Sequence, residues 1–283
     1  MTRAFFRMPL GYGPTPGPRQ DAQGQPLDNW DNVQIRTCTV TFEAPAEQLG
    51  SFLPRPCFQI NPDKIKNGLG QASIIFSSMD KLPWLAGRGY NLCGLYIHNV
   101  QCQGKTEKVE AKYLSVLFED FADPLLSGRE ELGYPKVFAS LDQEYDEAEG
   151  AWSLRIGWQG AQFGEMRLRG LQSRADMDAS TGAGISRDVL CYKYIPRTGS
   201  PGESDVEYPT LSPAPPPSAF RASREWEATD ASFQFTALGF QQLPTLHHIA
   251  EKLAAITVVH VVGGSFVEGL GAPDFQSQRA ISI

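Results

Sequence analysis

WSLRIGW (residues 152–158) and GEMRLRGLQ (residues 164–172) decide the fold class. Trp152, Leu154, Ile156 and Trp158 occupy every second position, and Met166 and Leu168 repeat the spacing. A period of two puts these side chains on one face of an extended strand, whereas a helix repeats its apolar face every three or four residues. Upstream, VEAKYLSVLF (109–118) is rich in β-branched and aromatic residues, and CGLYIHNVQC (93–102) alternates Leu95, Ile97 and, after one slip, Val100. QASIIFSSM (71–79) reads as a further strand. In VQIRTCTVTFE (33–43), Val33 and Ile35 are out of phase with Cys38, Val40 and Phe42, which predicts a bulge near Arg36. Downstream, FQFTALGF (233–240) and ITVVHVV (256–262) are strand-like. Many short strands separated by turn residues predict an antiparallel sheet or barrel.

Two segments are read as helical. APAEQLGSFLP (44–54) spaces Ala46, Leu49 and Leu53 for a short helix that stops before Pro54, and LPTLHHIAEKLAA (243–255) suits another. Residues 1–30, rich in Gly, Pro, Gln and Asn, predict an extended N-terminal arm, with 31–283 as a single domain. TGSPGESDVEYPTLSPAPPP (198–217) is expected to be a Pro-rich surface loop or strap.

Composition narrows the function. Of 283 residues, 41% are hydrophobic and 20% charged, ordinary values for a globular domain, and the net charge of −7 repels phosphate backbones. With no basic run, nucleic acid is not an expected partner. Cys38, Cys57, Cys93, Cys102 and Cys191 are scattered without a CxxC pair, so the expectation is reduced, mostly buried thiols in a cytoplasmic protein. No apolar run reaches the length of a membrane span, so no membrane is expected as a partner. GxxxxGK[ST], GxGxxG and GxSxG patterns are absent from the sequence, which removes support for a phosphate loop, a dinucleotide fold or a hydrolase elbow. His98 and His260 lie in strand-like runs, and the adjacent His247 and His248 point to different helix faces, so no metal is expected.

SGREELGYPKVFASL (127–141) carries the chemistry. Lys136 lies between Pro135 and Val137, at a turn leading into an apolar run. The common role for such a lysine is solvent-facing. A reactive role requires the neutral amine at pH 7. A free lysine titrates at about 10.4, and burial can lower that by about 3–5. Tyr134, Val137 and Phe138 are candidates for the apolar wall.

Gly128-Arg129-Glu130, four residues, then Pro135-Lys136 resembles the GRExxxxPK signature of the acetoacetate decarboxylase-like superfamily. Weaker likenesses accompany it: Lys112-Tyr113-Leu114 to Phe118-Glu119-Asp120, Tyr192-Lys193-Tyr194-Ile195-Pro196, and Ile256 to Pro273. The resemblance covers roughly residues 35–275 and is dense near 112–141. It implies a mainly β (α+β) fold, an antiparallel sheet curled into a cone-like barrel with few helices, and a homo-oligomer. It also implies a Schiff-base lysine at Lys136, no cofactor, and a small keto acid as substrate. Lysine-dependent amine activation by desolvation or a neighbouring cation is illustrated by acetoacetate decarboxylase itself.

Three departures accompany the resemblance. Val137 stands where the decarboxylase has a second lysine. Leu92 or Cys93 falls where it has a pocket glutamate, and its substrate arginine falls near Ile35 or Arg36. The expected substrate contacts are therefore Arg36 or Arg129 for the carboxylate, Glu130 and Tyr134 at the motif, and Glu268 as a replacement acid. Arg129 and Glu130 suit a structural ion pair equally well, and Glu268, between glycines, also suits a solvated loop. The expected activity is decarboxylation of a β-keto acid. Aldol condensation or dehydration in a natural-product pathway, or a binding protein on the same fold, are the alternatives.

Overall fold

The computed structural model describes residues 4–174, 187–272 and 275–283. In chain order the strands are β1 Gln34–Pro45, β2 Phe58–Ile60, β3 Leu69–Asp80, β4 Tyr90–Gln103, β5 Lys108–Glu119, β6 Lys136–Phe138 and β7 Ser140–Asp146. They continue as β8 Ala151–Trp158, β9 Ala161–Ser173, β10 Val189–Pro196, β11 Ser204–Ser212, β12 Arg221–Phe235, β13 His260–Leu270 and β14 Arg279–Ala280. Three α-helices are described: α1 Ala46–Gly50, α2 Ala122–Ser127, which runs into a π turn at Gly128–Leu132, and α3 His247–Ala254.

The alternating stretches form the β8–β9 hairpin. Trp152, Leu154, Ile156, Met166 and Leu168 are buried on its inner face. Gln159 and Gly160, at φ +48 and +84, make its two-residue turn, the geometry that matches strand twist. One curled sheet runs β14-β11-β10-β5-β4-β3-β1-β13-β12-β9-β8-β7, with β2 on β4 and β6 on β5. Most ladders are antiparallel, as expected, but β10 and β6 both pair parallel with β5. No ladder joins the ends of this path among the described residues. Instead β6, paired with β5, continues through buried Ala139 directly into β7, so the chain itself links them.

The phase change in β1 has another cause than a bulge at Arg36. Cys38, Val40 and Phe42 face the main core, whereas Ile35 packs with Val33 in a second cluster around Trp30 and Leu82. The strand serves two cores in succession, and its irregularity against β13 lies at Thr41/Phe42. The slip expected in 93–102 is present, as register shifts of β4 against β5.

The 198–217 stretch is not wholly a loop. Ser204–Ser212 is a strand, paired with β10 and β14. Its Pro209 is tolerated because β14 covers only Thr210 and Leu211 of that edge. The flanking prolines dominated the composition and hid the strand. The strand expected at 256–262 starts only at His260, because the Gln48 side chain binds Ala255 O and Thr257 N and holds this segment off the sheet. The strand at 233–240 ends at Phe235. Pro273 lies outside the described residues.

The N-terminal arm folds back on the domain. Arg7 pairs with Glu131 at 2.7 Å, and buried Gln20 binds Phe5 N, Phe5 O and Thr15 O. Among the described residues no helix is long and apolar enough to cross a membrane.

Candidate active site

The motif 127–141 folds as a helix end, a sharp reversal and a strand. α2 passes into the π turn, and Gly133, at φ +75, ends it in the left-handed conformation that glycine adopts without strain. A Cβ at Gly133 would also lie 2.7 Å from Lys193 Cβ. Tyr134 N donates to Gly128 O, closing the reversal, and Pro135 leads into β6. β6 lies parallel to the end of β5, Lys136 opposite Leu117 and Val137 opposite Phe118.

This arrangement buries Lys136, which is 5% exposed. Its Nζ donates to Glu119 Oε1 at 2.7 Å and to Pro124 O at 2.8 Å. The Tyr90 and Tyr134 rings lie 5.7 and 5.8 Å away. Glu119 is 0% exposed, and its Oε2 has no hydrogen-bond partner among the described residues. Burial lowers the Lys136 pKa, and the Glu119 carboxylate opposes it. Burial pushes Glu119 up to about 7, with Lys136 opposing. Desolvation disfavours charge on both partners. One proton moving along the 2.7 Å bond converts the ion pair into a neutral amine and a neutral acid.

Lys136 opens onto a cavity of about 300 Å³. Tyr90, Leu92, Tyr96, Leu117, Tyr134, Trp84 and Met79 give it an apolar and aromatic wall, with Thr37 and Ser77 as small polar patches. The arm contributes Pro18 and the C-terminal segment Phe275. Burial raises the Tyr90, Tyr96 and Tyr134 phenols, which stay neutral near pH 7. Lys136 is the sole charged side chain lining the cavity among the described residues.

Of the residues singled out in the sequence, Tyr134 shares this cavity with Lys136. Arg36 and Glu268 do not line it. Ile35 and Thr37 do, so Arg36 between them points to the opposite face of β1. There it pairs with Glu268 at 2.6 Å and stands over the Phe266 and Tyr145 rings at 5.4 and 5.7 Å. Arg129 Nη1 donates to the Lys136 carbonyl at 2.8 Å, so it holds β6 by its backbone. The Glu130 carbonyl accepts Lys193 Nζ at 2.5 Å. The ion pair in this turn joins Glu131 to Arg7, and the alternative of one between Arg129 and Glu130 is not formed among the described residues. Val137 faces the main core and Phe138 is exposed, so neither walls Lys136, and the tyrosines do so instead. His98 is buried, bonded to Ser73 Oγ at 2.9 Å, and lowered to about 3 by burial.

Glu119 was missed as a site residue because the acid was sought at 92–93. Leu92 does line the cavity, but the carboxylate comes from β5, one strand over. The signal was an acid ending the apolar run LSVLF. All five cysteines are free, four of them buried.

Comparison with known proteins agrees with this architecture. The family model for acetoacetate decarboxylase matches residues 7–270. A solved acetoacetate decarboxylase from Legionella pneumophila subsp. pneumophila superposes with a TM-score of 0.60 at 15% identity, covering 89% of this chain and 87% of that one. An acetoacetate decarboxylase-like enzyme from Sphingomonas wittichii RW1 gives 0.59 at 15% identity, covering 91% and 94%. The enduracididine biosynthesis enzyme MppR, complexed with the condensation product of pyruvate and imidazole 4-carboxaldehyde, gives 0.59 at 15%, covering 89% and 88%. The search of curated proteins found no significant match.

Proposed function

The chain belongs to the acetoacetate decarboxylase family, and from that premise we propose that it is a lysine-dependent decarboxylase of small β-keto acids, with Lys136 as the imine-forming amine. The observation that carries this reading is the buried Lys136, paired with Glu119 at 2.7 Å and lining a cavity whose described lining holds no other charge. Such a lysine loses its proton more readily than a surface one, and its acid partner keeps that proton within reach.

The steps balance on these two groups. The neutral Lys136 amine adds to the ketone carbon, and Glu119 relays the nitrogen proton to the oxygen. Glu119 then protonates the hydroxyl, water leaves, and an iminium stands opposite the Glu119 carboxylate. Carbon dioxide departs, its bonding electrons pass to the iminium, and an enamine forms. A proton taken up from solvent adds at carbon, the one proton the net reaction consumes. Glu119 deprotonates the water that hydrolyses the second iminium, returning the neutral pair. The apolar wall disfavours the substrate carboxylate more than the uncharged carbon dioxide it becomes. No step draws on a cofactor.

A second reading, carbon–carbon bond formation or dehydration through the same imine, draws support from the lack of a described cation other than Lys136 in the cavity. A structural neighbour holds a pyruvate condensation product. Carbon dioxide release from a β-keto acid separates the two.

The test is borohydride reduction in the presence of keto acids, followed by digestion and mass spectrometry. A reduced adduct on Lys136, lost in Lys136→Ala, is expected. A protein that forms no adduct and whose Lys136 labels with the pKa of a free lysine is a binding protein on this fold.

A further inference from the structure

The Lys136 cavity has a neighbour. Tyr134, Val189 and Phe275 line both it and a smaller hollow of about 140 Å³, so the two spaces adjoin at these three residues. The hollow differs in charge, because its lining includes Arg187. Arg187 is exposed and sits just before β10, while Val189 lies within that strand opposite Lys112. The Arg187 charge is felt there: burial first, then Arg187, lowers the Lys112 pKa.

A second guanidinium stands behind the hollow. Arg19 Nη2 donates at 2.7 Å to Oε1 of Gln278, a lining residue whose Nε2 is held by Leu132 O at 2.7 Å. Arg19 Nε is buried without a hydrogen-bond partner among the described residues. The acids nearby are already engaged: Asp188 Oδ1 accepts Ala214 N at 2.7 Å, and Glu131 is paired with Arg7. An anion entering the hollow thus meets the Arg187 guanidinium, with Arg19 one hydrogen bond behind it through Gln278, while one left in the Lys136 cavity would be desolvated with no described cation but the lysine.

We infer that the site is bipartite and takes keto acids bearing a second, distal carboxylate, with the ketone at Lys136 and the distal carboxylate in the hollow at Arg187. This rests on the imine reading of Lys136 for the position of the ketone, and on the geometry of the hollow for the carboxylate. Planar guanidinium groups bind carboxylates through paired hydrogen bonds, which makes Arg187 a specificity determinant and not a catalytic residue. The carboxylate β to the ketone, separated from it by one carbon, remains in the apolar cavity, where it is the one lost as carbon dioxide.

Two measurements on the full chain test it. Calorimetry compares saturated straight-chain diacids with monoacids of equal length, on the wild type, Arg187→Gln and Arg187→Lys. Borohydride trapping repeats the comparison with the matching oxo acids. Diacids of one length range are expected to bind about tenfold or more tightly than monoacids, the value of one charge-assisted hydrogen bond. Arg187→Gln should erase that preference with an unchanged melting temperature, and Arg187→Lys should restore part of it. Equal affinity for the two classes in the wild type, or a preference that survives Arg187→Gln, overturns the inference. Diacid binding that depends on Arg187 without any Lys136 adduct would support the subsite and remove the imine reading.

Discussion

Gly128 is packed against the side chain of Lys136 so closely that a Cβ at this glycine would overlap Lys136 Cδ and Cε and lie 2.6 Å from Nζ. The glycine of the GRE motif therefore makes room for the stem of the buried lysine. Its φ of −63 is ordinary helical backbone, so the requirement is one of space and not of conformation.

Gly128→Ala should consequently dislodge Lys136 from Glu119. Overpacking of this kind costs about 1–3 kcal/mol. The expected variant is folded with a lowered melting temperature and gives little or no borohydride adduct. A variant that traps keto acids as well as wild type would show that the lysine stem has another route.

Glu119→Gln removes the charge that opposes the desolvation of Lys136. The Lys136 pKa should fall further below its ordinary value, because burial is the larger cause of its shift and would act unopposed. Selective amine labelling against pH reads this directly. Trapping should nevertheless slow, since no acid remains to move protons, and any limb of the rate profile near pH 7 assigned to Glu119 should vanish.

Lys136→Met leaves Glu119 buried without its cation. A buried acid whose folded pKa is raised contributes stability that is complete below its unfolded value and lost as pH rises through the folded one. From about pH 4.5 upward through 7 and beyond, the variant should lose about 1.4 kcal/mol per pH unit. The Lys136→Met/Glu119→Gln double variant should lack this slope. Urea melts at several pH values measure it, and a flat profile for the single variant would mean that Glu119 is solvated.

Arg36→Gln and Glu268→Gln should leave adduct formation on Lys136 intact, because that pair lies on the face of β1 away from the cavity. A loss of trapping with unchanged thermal stability would place Arg36 in the site after all.

Native thiol labelling at pH 8 should reach Cys57 first. It is half-buried, whereas burial holds the Cys93 thiol up at about 12 and raises Cys191 as well. The other four should react at the rate of unfolding, which double-jump denaturant experiments supply.

The sequence by itself determined the strand character of most of the chain, because side-chain alternation is a local property. Trp152, Leu154 and Ile156 had to share a face whatever they packed against. It also singled out Lys136, since a GRExxxxPK pattern is contiguous. Tertiary structure decided the rest. Glu119 lies 17 residues before Lys136, and only the parallel pairing of β5 with β6 brings them to 2.7 Å. Arg36 and Ile35 are neighbours in sequence, yet a strand sends them to opposite faces, and which face held the cavity depended on what covered it. Pro18, Tyr90 and Phe275 reach that cavity from the arm, β4 and the C-terminal segment. Local patterning fixes backbone conformation, but a site is set by long-range pairing and burial, and the same two causes set its pKa values.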